Sequence, residues 1–251
     1  MNTLDMAWQD YKQSALQAEA AGNLDLAAKC WAQTVTLLRK EKNALQSLSS
    51  ALERLANALA NNNKASYAIP LLIESLEIKC RALGNNHPLV AQVENDLARI
   101  YFVNGQLPES ISYAQRCLKN YEAIYGPQSE PVATMCVNIG SAFQRTNKHE
   151  FAEPYYKRAL SVRTKVLGES NPQTVKVLKD YAKLLREMHR YQEASHLDEC
   201  AQGEITGSWK AIKIDDNQTL AAPGKECNFC GQKIGQAKKC SRCGTPAGSL
   251  I

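Results

Sequence analysis

A 42-residue period runs through most of this chain, and such a period marks a protein built from stacked copies of one small unit. Leu55-Ala56, Leu97-Ala98, Ile139-Gly140 and Tyr181-Ala182 recur at steps of 42, and so do Ala68, Ser110, Ala152 and Ala194. A third column, Leu83-Gly84, Tyr125-Gly126 and Leu167-Gly168, keeps the same step. Each of its pairs is followed within a few residues by Pro88, Pro131 or Pro172, so each unit is expected to end in a turn.

The first half of a unit is apolar at helical spacing, as in Val93, Leu97, Ile100 and Tyr101. Turn-prone residues follow at one register, Asn63, Gly105, Asn147 and His189. A second apolar-periodic stretch then begins, such as Ile111, Ala114, Leu118 and Tyr121. The unit is therefore a helical hairpin, and small residues facing each other across it (Ala56 and Ala68, Ala98 and Ser110, Gly140 and Ala152, Ala182 and Ala194) let the two backbones approach. Pro70 and Pro154 share a register near the start of the second helix, where a missing amide is tolerated. An earlier hairpin fits residues 5–39, offset by 41 instead of 42 and without the Gly…Pro ending. Five hairpins are enough to stack into an all-α solenoid over residues 1–201.

These residues resemble a known family. The stretch from Phe151 to Gly168, FAEPYYKRALSVRTKVLG, with the preceding Asn-Ile-Gly and the following Asn-Pro, is similar to the 42-residue tetratricopeptide repeat of the kinesin-light-chain type. The resemblance covers about residues 5–201. It implies a right-handed superhelix whose first helices line a concave peptide-binding groove. Residues 1–50 show hairpin spacing and no sustained heptads, so the coiled coil of kinesin light chains is not expected there.

Beyond Ala201 the period stops. Residues 202–225, with Gly203, Gly207, Pro223 and Gly224, read as a linker carrying a short alternating run from Trp209 to Ile214. Trp209 and Ile212 either cap the exposed end of the last hairpin, whose second helix is short, or stay in a solvated linker. Residues 226–246 hold Cys227-Asn-Phe-Cys230-Gly and Cys240-Ser-Arg-Cys243-Gly, and a short tail, 247–251, follows. Four thiolates on two tight turns suit tetrahedral Zn2+, and so short a segment would take its folding free energy from the metal. The paired knuckles resemble the short bacterial zinc-ribbon family. A redox dithiol is the alternative use of the same thiols.

The beginning of the sequence carries no apolar export segment, and the longest apolar run, Ala68 to Ile73, has six residues and includes Pro70. A reducing, cytoplasmic setting without membrane insertion is expected, so the nine cysteines read as core thiols or metal ligands. Cys30, Cys80, Cys117, Cys136 and Cys200 lie in helical stretches and read as core thiols. His87 fits an inter-repeat turn, and His149, His189 and His196 read as turn or surface residues. No phosphate loop, nucleophile elbow or His-Glu-x-x-His motif is present, so an enzyme is not expected.

The resemblance directs attention to polar residues of the first helices at the concave register: Asn57, Asn95, Arg99, Asn138, Arg145, Lys176, Lys179, Lys183 and Arg186. Asn138 matches the asparagine that related repeats use to bond a peptide backbone, while Asp96 and Asp180 replace it in the neighbouring units. The basic residues of the last first-helix are either a ligand contact or a solvated face. The expected function is a protein–protein interaction scaffold that binds a peptide or protein segment, acidic in character, with a structural Zn2+ ribbon as a second contact module. The alternative is a nucleic-acid-associated adaptor. Residues 202–251 hold seven basic and four acidic side chains, +3 of the net +5, a small excess for that role. A thiol redox protein is a third reading.

Overall fold

A computed structural model describes residues 3–41, 43–203 and 209. The described residues form ten α-helices: α1 Thr3–Ala20, α2 Leu24–Leu38, α3 Leu45–Asn61, α4 Ala65–Leu83, α5 Pro88–Val103, α6 Leu107–Tyr125, α7 Glu130–Arg145, α8 His149–Leu167, α9 Pro172–Glu187 and α10 Tyr191–Gln202. No strand occurs among the described residues. The chain divides into two compact units, Met1–Gln106 with α1 to α5 and Leu107–Ile251 with α6 to α10. In the first unit α1 packs on α2, α2 on α3, α3 on α4 and α4 on α5; in the second the same succession runs from α6 to α10.

One turn closes every hairpin, and the reason is local. Gly22, Asn63, Gly105, Asn147 and His189 all have φ between +55° and +78°, the left-handed region that glycine and asparagine enter most readily. The next amide then reaches back over the helix end: Asn23 to the Ala18 carbonyl, Lys64 to Leu59, Gln106 to Tyr101, Lys148 to Phe143 and Arg190 to Leu185, at 2.8–3.0 Å. This six-to-one bond is the Schellman closure, and it satisfies carbonyls that the helix end would otherwise leave without donors. Asn23 also starts the next helix, its side chain accepting from the Leu26 amide at 3.1 Å.

The ends of the units follow a second rule. Gly84, Gly126 and Gly168 terminate α4, α6 and α8 with φ of +81° to +89°. The chain then turns extended at His87, Ser129 and Asn171, with a proline in the first two positions of α5, α7 and α9. Thr174 and Ser129 donate their hydroxyls to the Gly168 and Gly126 carbonyls, at 2.8 and 2.9 Å, tying each new helix to the turn before it. Pro70 and Pro154 stand at the sixth residue of α4 and α8, deeper than the first turn. They leave the carbonyls of Ser66 and Glu150 without an i+4 donor.

The core of the first unit is built from Ala15, Ala27, Trp31, Leu38 and Leu52, all at or below 3% exposure. In the second unit Ile139, Tyr156, Leu160, Leu178, Tyr181 and Leu184 are buried as deeply. Each such large side chain contributes about 1.5–3 kcal/mol on burial. The small column does what its register requires. A Cβ placed on Gly140 would lie 3.3 Å from the Tyr156 ring and 3.4 Å from the Ala152 carbonyl oxygen, so α7 and α8 meet backbone to side chain there. The shortness of α10, 12 residues, matches the sequence reading. Trp209 is 4% exposed, so its indole is covered and not solvated.

Candidate binding grooves

In the first unit the polar stripes of α1, α3 and α5 line two adjoining hollows. One, about 620 Å³, is bounded by Glu19, Ser50, Glu53, Arg54, Asn57, Asn61, Gln92 and Asp96. The other, about 450 Å³, has a more apolar floor of Trp8, Leu16, Trp31, Leu38 and Ala51, with Lys12 at its edge. Ser50 and Arg54 border both. Spacing of three to four residues along α3 puts Ser50, Arg54, Asn57 and Asn61 on one face. The next first-helix, α5, presents Gln92, Asp96 and Arg99 at matching registers.

Two of the sequence-selected residues meet directly: Arg99 donates to the Asn57 side-chain oxygen at 2.7 Å, across one repeat period. Asn95 is half-buried beside them on α5. Beneath this face lies a buried polar network. Glu53 Oε1 accepts from Ser75 at 2.5 Å and pairs with the Lys79 ammonium at 2.6 Å, and Ser49 and Ser75 share a hydrogen bond of 2.9 Å. Burial pushes the Asp96 carboxyl above the usual range; Glu53 adds to the rise, and Arg99 and Lys79 counter it in part.

In the second unit α7 and α9 present the corresponding stripes. Asn138 and Arg145 are exposed on α7, and Lys176, Lys179, Lys183 and Arg186 are exposed on α9. Arg186 is turned to α10, where its guanidinium pairs with Asp198. Lys183 stands 4.0 Å from Glu187, while Lys176 and Lys179 make no ion pair with any described residue. Asp180, among these lysines, is raised by burial against the pull of Lys176, Lys183 and Arg163. On the face of α9, Lys176 and Lys179 thus stand exposed without an ion pair to any described residue, while Lys183 and Arg186 have acidic partners.

Several residues that hold these faces in place escaped the sequence reading. Lys79 and Arg163 sit at one register on α4 and α8 and are buried. Arg163 donates to Thr134 at 2.9 Å and to the Gln173 carbonyl at 3.1 Å, joining α7 to α9. The signal was available: cations two periods apart in a column that also holds Leu38 and Tyr121. Glu153 accepts from the Tyr181 hydroxyl and from Arg190, each at 2.8 Å, and binds Lys157 at 2.9 Å. Burial alone would raise this carboxyl, but those donors outweigh it and hold it below the ordinary range.

The five cysteines of the helices are free thiols, and Cys117 and Cys136 are buried. Burial pushes the Cys136 thiol up to about 12, which keeps it protonated and unreactive near neutral pH. Among the described residues no three His, Cys, Asp or Glu side chains converge as a metal ion would require. Cys227, Cys230, Cys240 and Cys243 lie outside the described residues. No described helix is long and apolar enough to cross a membrane.

With this geometry in hand, the chain can be set beside known proteins. The sequence profile of the tetratricopeptide repeat matches residues 47–123, 89–165 and 130–202. A clustered mitochondria protein homolog of Emericella nidulans is 22% identical over 158 residues, which is 62% of this chain and 13% of that protein. The chain thus spans about an eighth of the length of the curated relatives it matches. The crystal structure of nearly identical TPR-like repeats, described as from a kinesin light chain of Podosopora anserina, superposes with a TM-score of 0.70. It is 19% identical and covers 85% of this chain and 100% of that one. A Rap protein solved in complex with Competence and Sporulation Factor gives a TM-score of 0.56 at 14% identity, covering 81% of this chain and 54% of that one. At these identities the two structures speak for the fold alone.

Proposed function

The chain belongs to the tetratricopeptide repeat family, and we propose that it is a non-enzymatic scaffold holding a protein segment against the first helices of its hairpins. The observation that carries this is the α9 face, where Lys176 and Lys179 stand exposed with no ion pair to any described residue. Ammonium groups at helical spacing offer charge-assisted bonds to ligand carboxylates, and exposed Asn138 adds an amide that can pair with a peptide backbone. The Rap protein solved with Competence and Sporulation Factor supports the idea that hairpins of this kind hold a ligand.

The same reading gives the four C-terminal cysteines a structural Zn2+, supported by their two Cys-x-x-Cys-Gly knuckles. It places the chain in a cytoplasmic, reducing setting, which suits the five free thiols of the helices. Peptides selected from a random display library on the full chain test the groove. Selection should enrich Asp and Glu, and Lys179→Glu with Lys183→Glu should weaken the selected peptides by about 1–3 kcal/mol. Unchanged affinity in that variant would remove α9 as the ligand face.

A further inference from the structure

One acid stands where the repeat otherwise buries an uncharged side chain. The column Trp31, Leu72, Ala114 and Tyr156 recurs along the second helices, each member at or below 3% exposure. In the last hairpin the same register holds Asp198. Its side chain is 27% exposed and pairs with the guanidinium of Arg186 on the facing helix α9. Buried Ala194 and Leu197 fix the part of α10 that carries it.

Arg186 belongs to the candidate ligand face. Lys176, Lys179, Lys183 and Arg186 follow one another at steps of three and four residues, so they form one stripe about 15 Å long on α9. The stripe is not equally open along its length. Lys179 has no ion pair with any described residue, and Lys176 feels only the carboxyl of Asp180, one turn on in the same helix. Lys183 stands 4.0 Å from Glu187, whose other oxygen already accepts from Gln144 at 2.8 Å. Arg186 is claimed from across the hairpin.

The group so claimed is the one best suited to a carboxylate. A guanidinium offers a planar fork to both carboxylate oxygens, which an ammonium does not. The pair is also exchangeable: Arg186 is 48% exposed, whereas Arg163, which ties α7 to α9, is 8% exposed and enclosed. Ion pairs between exposed side chains are weak, so a ligand carboxylate is able to displace Asp198.

We infer that Asp198 is a resident competitor for the acidic residues of a bound protein segment, holding Arg186 so that the segment engages Lys176 and Lys179. This rests on the reading of α9 as a ligand face and adds what limits that face. The occupant is a segment rich in Asp and Glu, because the stripe presents four cations along one side of the helix. Its acids meet the N-terminal half of α9 first, and contact with the C-terminal half requires the Asp198 pair to open.

A fluorescent, blocked peptide of alternating Ala and Glu, with a Gln-for-Glu control, titrated into the full chain and followed by anisotropy, tests this. The Glu peptide should bind and the Gln peptide should not. Lys179→Gln should weaken the Glu peptide severalfold, while Arg186→Gln in the native background should change it by less than about twofold. Asp198→Asn should strengthen binding about two- to fivefold, the range an exposed ion pair is worth. That gain should vanish when Asp198→Asn is combined with Arg186→Gln, which restores the native net charge. Binding unchanged or weakened by Asp198→Asn, a gain that survives loss of Arg186, or an Arg186→Gln loss as large as that of Lys179→Gln overturns the inference. If the Glu peptide binds through Lys179 yet ignores Asp198, the competitor alone is wrong; if it binds no better than the Gln peptide to any of these chains, the ligand-face reading fails with it.

Discussion

Gly140 and Tyr156 form a matched pair, and breaking the match should reverse the sign of a simple substitution. The second, third and fifth hairpins place Ala56, Ala98 and Ala182 at the Gly140 register, opposite Leu72, Ala114 and Asp198 at the Tyr156 register, and the first, offset by 41, places Ala15 opposite Trp31. Only the fourth hairpin sets a tyrosine there, and there the small residue shrinks to glycine. A methyl at position 140 would meet the Tyr156 ring at 3.3 Å. The ring cannot retreat freely, because it is 2% exposed, its hydroxyl donates to Gln144 at 3.0 Å and it stacks on Tyr181 with centroids 6.4 Å apart.

Two terms therefore compete in Gly140→Ala. Helix propensity favours alanine by about 1 kcal/mol, while overpacking a tight core costs about 1–3 kcal/mol. A net loss of about 1 kcal/mol is expected in the native background. In a Tyr156→Leu background, which restores the Ala–Leu pair of the second hairpin, the clash disappears and the same substitution should stabilise by up to about 1 kcal/mol. The coupling energy of the cycle is then about 1.5–2 kcal/mol, within the range for residues in contact. Urea unfolding followed by circular dichroism measures it, with m-values checked because stacked hairpins need not unfold in one step. Stabilisation of the native background by Gly140→Ala, or equal effects in both backgrounds, would refute this packing argument.

His189 holds φ at +61° without being glycine, so His189→Gly should raise stability by about 1 kcal/mol despite losing its 3.0 Å bond to the Tyr191 hydroxyl. Asp96 has a raised folded-state pKa, so its ionised form opposes folding at neutral pH, and the opposition fades as pH falls through that pKa. Asp96→Asn should accordingly raise the melting temperature at pH 7, with the difference shrinking steadily on acidification. Cys136, buried with its thiol pushed up to about 12, should resist alkylation until urea opens the second unit. Metal analysis of chain purified without added zinc should find one zinc per chain, absent after Cys227→Ser, with helical circular dichroism little changed; metal-free protein with four free C-terminal thiols would remove the ribbon.

The hairpins were legible because each carries its own signals. Gly22, Asn63, Gly105, Asn147 and His189 mark the left-handed closures, the Gly…Pro endings mark the unit boundaries, and the small column marks the helix crossings. These are local constraints, and local constraints repeat with the period. What the period could not give was the pairing of side chains across it. Lys79 and Arg163 look like surface cations in a helical pattern until Glu53 and Thr134 are seen beside them. Arg186 shares a face with Lys179 and Lys183 in sequence, yet Asp198 of the facing helix claims it. Asp96 reads as a substitution of the groove asparagine, and only the fold shows that Arg99, one turn further along α5, is set 4.0 Å from it. Charge in this protein is decided by what lies across a helix pair, and hydrophobic period carries no record of that.

Photo-crosslinking tests the central claim most directly. A benzophenone side chain placed singly at Asn138 or Lys179 on first helices, or at exposed Lys165 on the second helix α8, should report where a display-selected ligand rests on the full chain. Efficient crosslinks at 138 and 179 with little at 165 are the expected result. Crosslinks concentrated at 165, or equal at all three positions, would contradict a binding face built from the first helices.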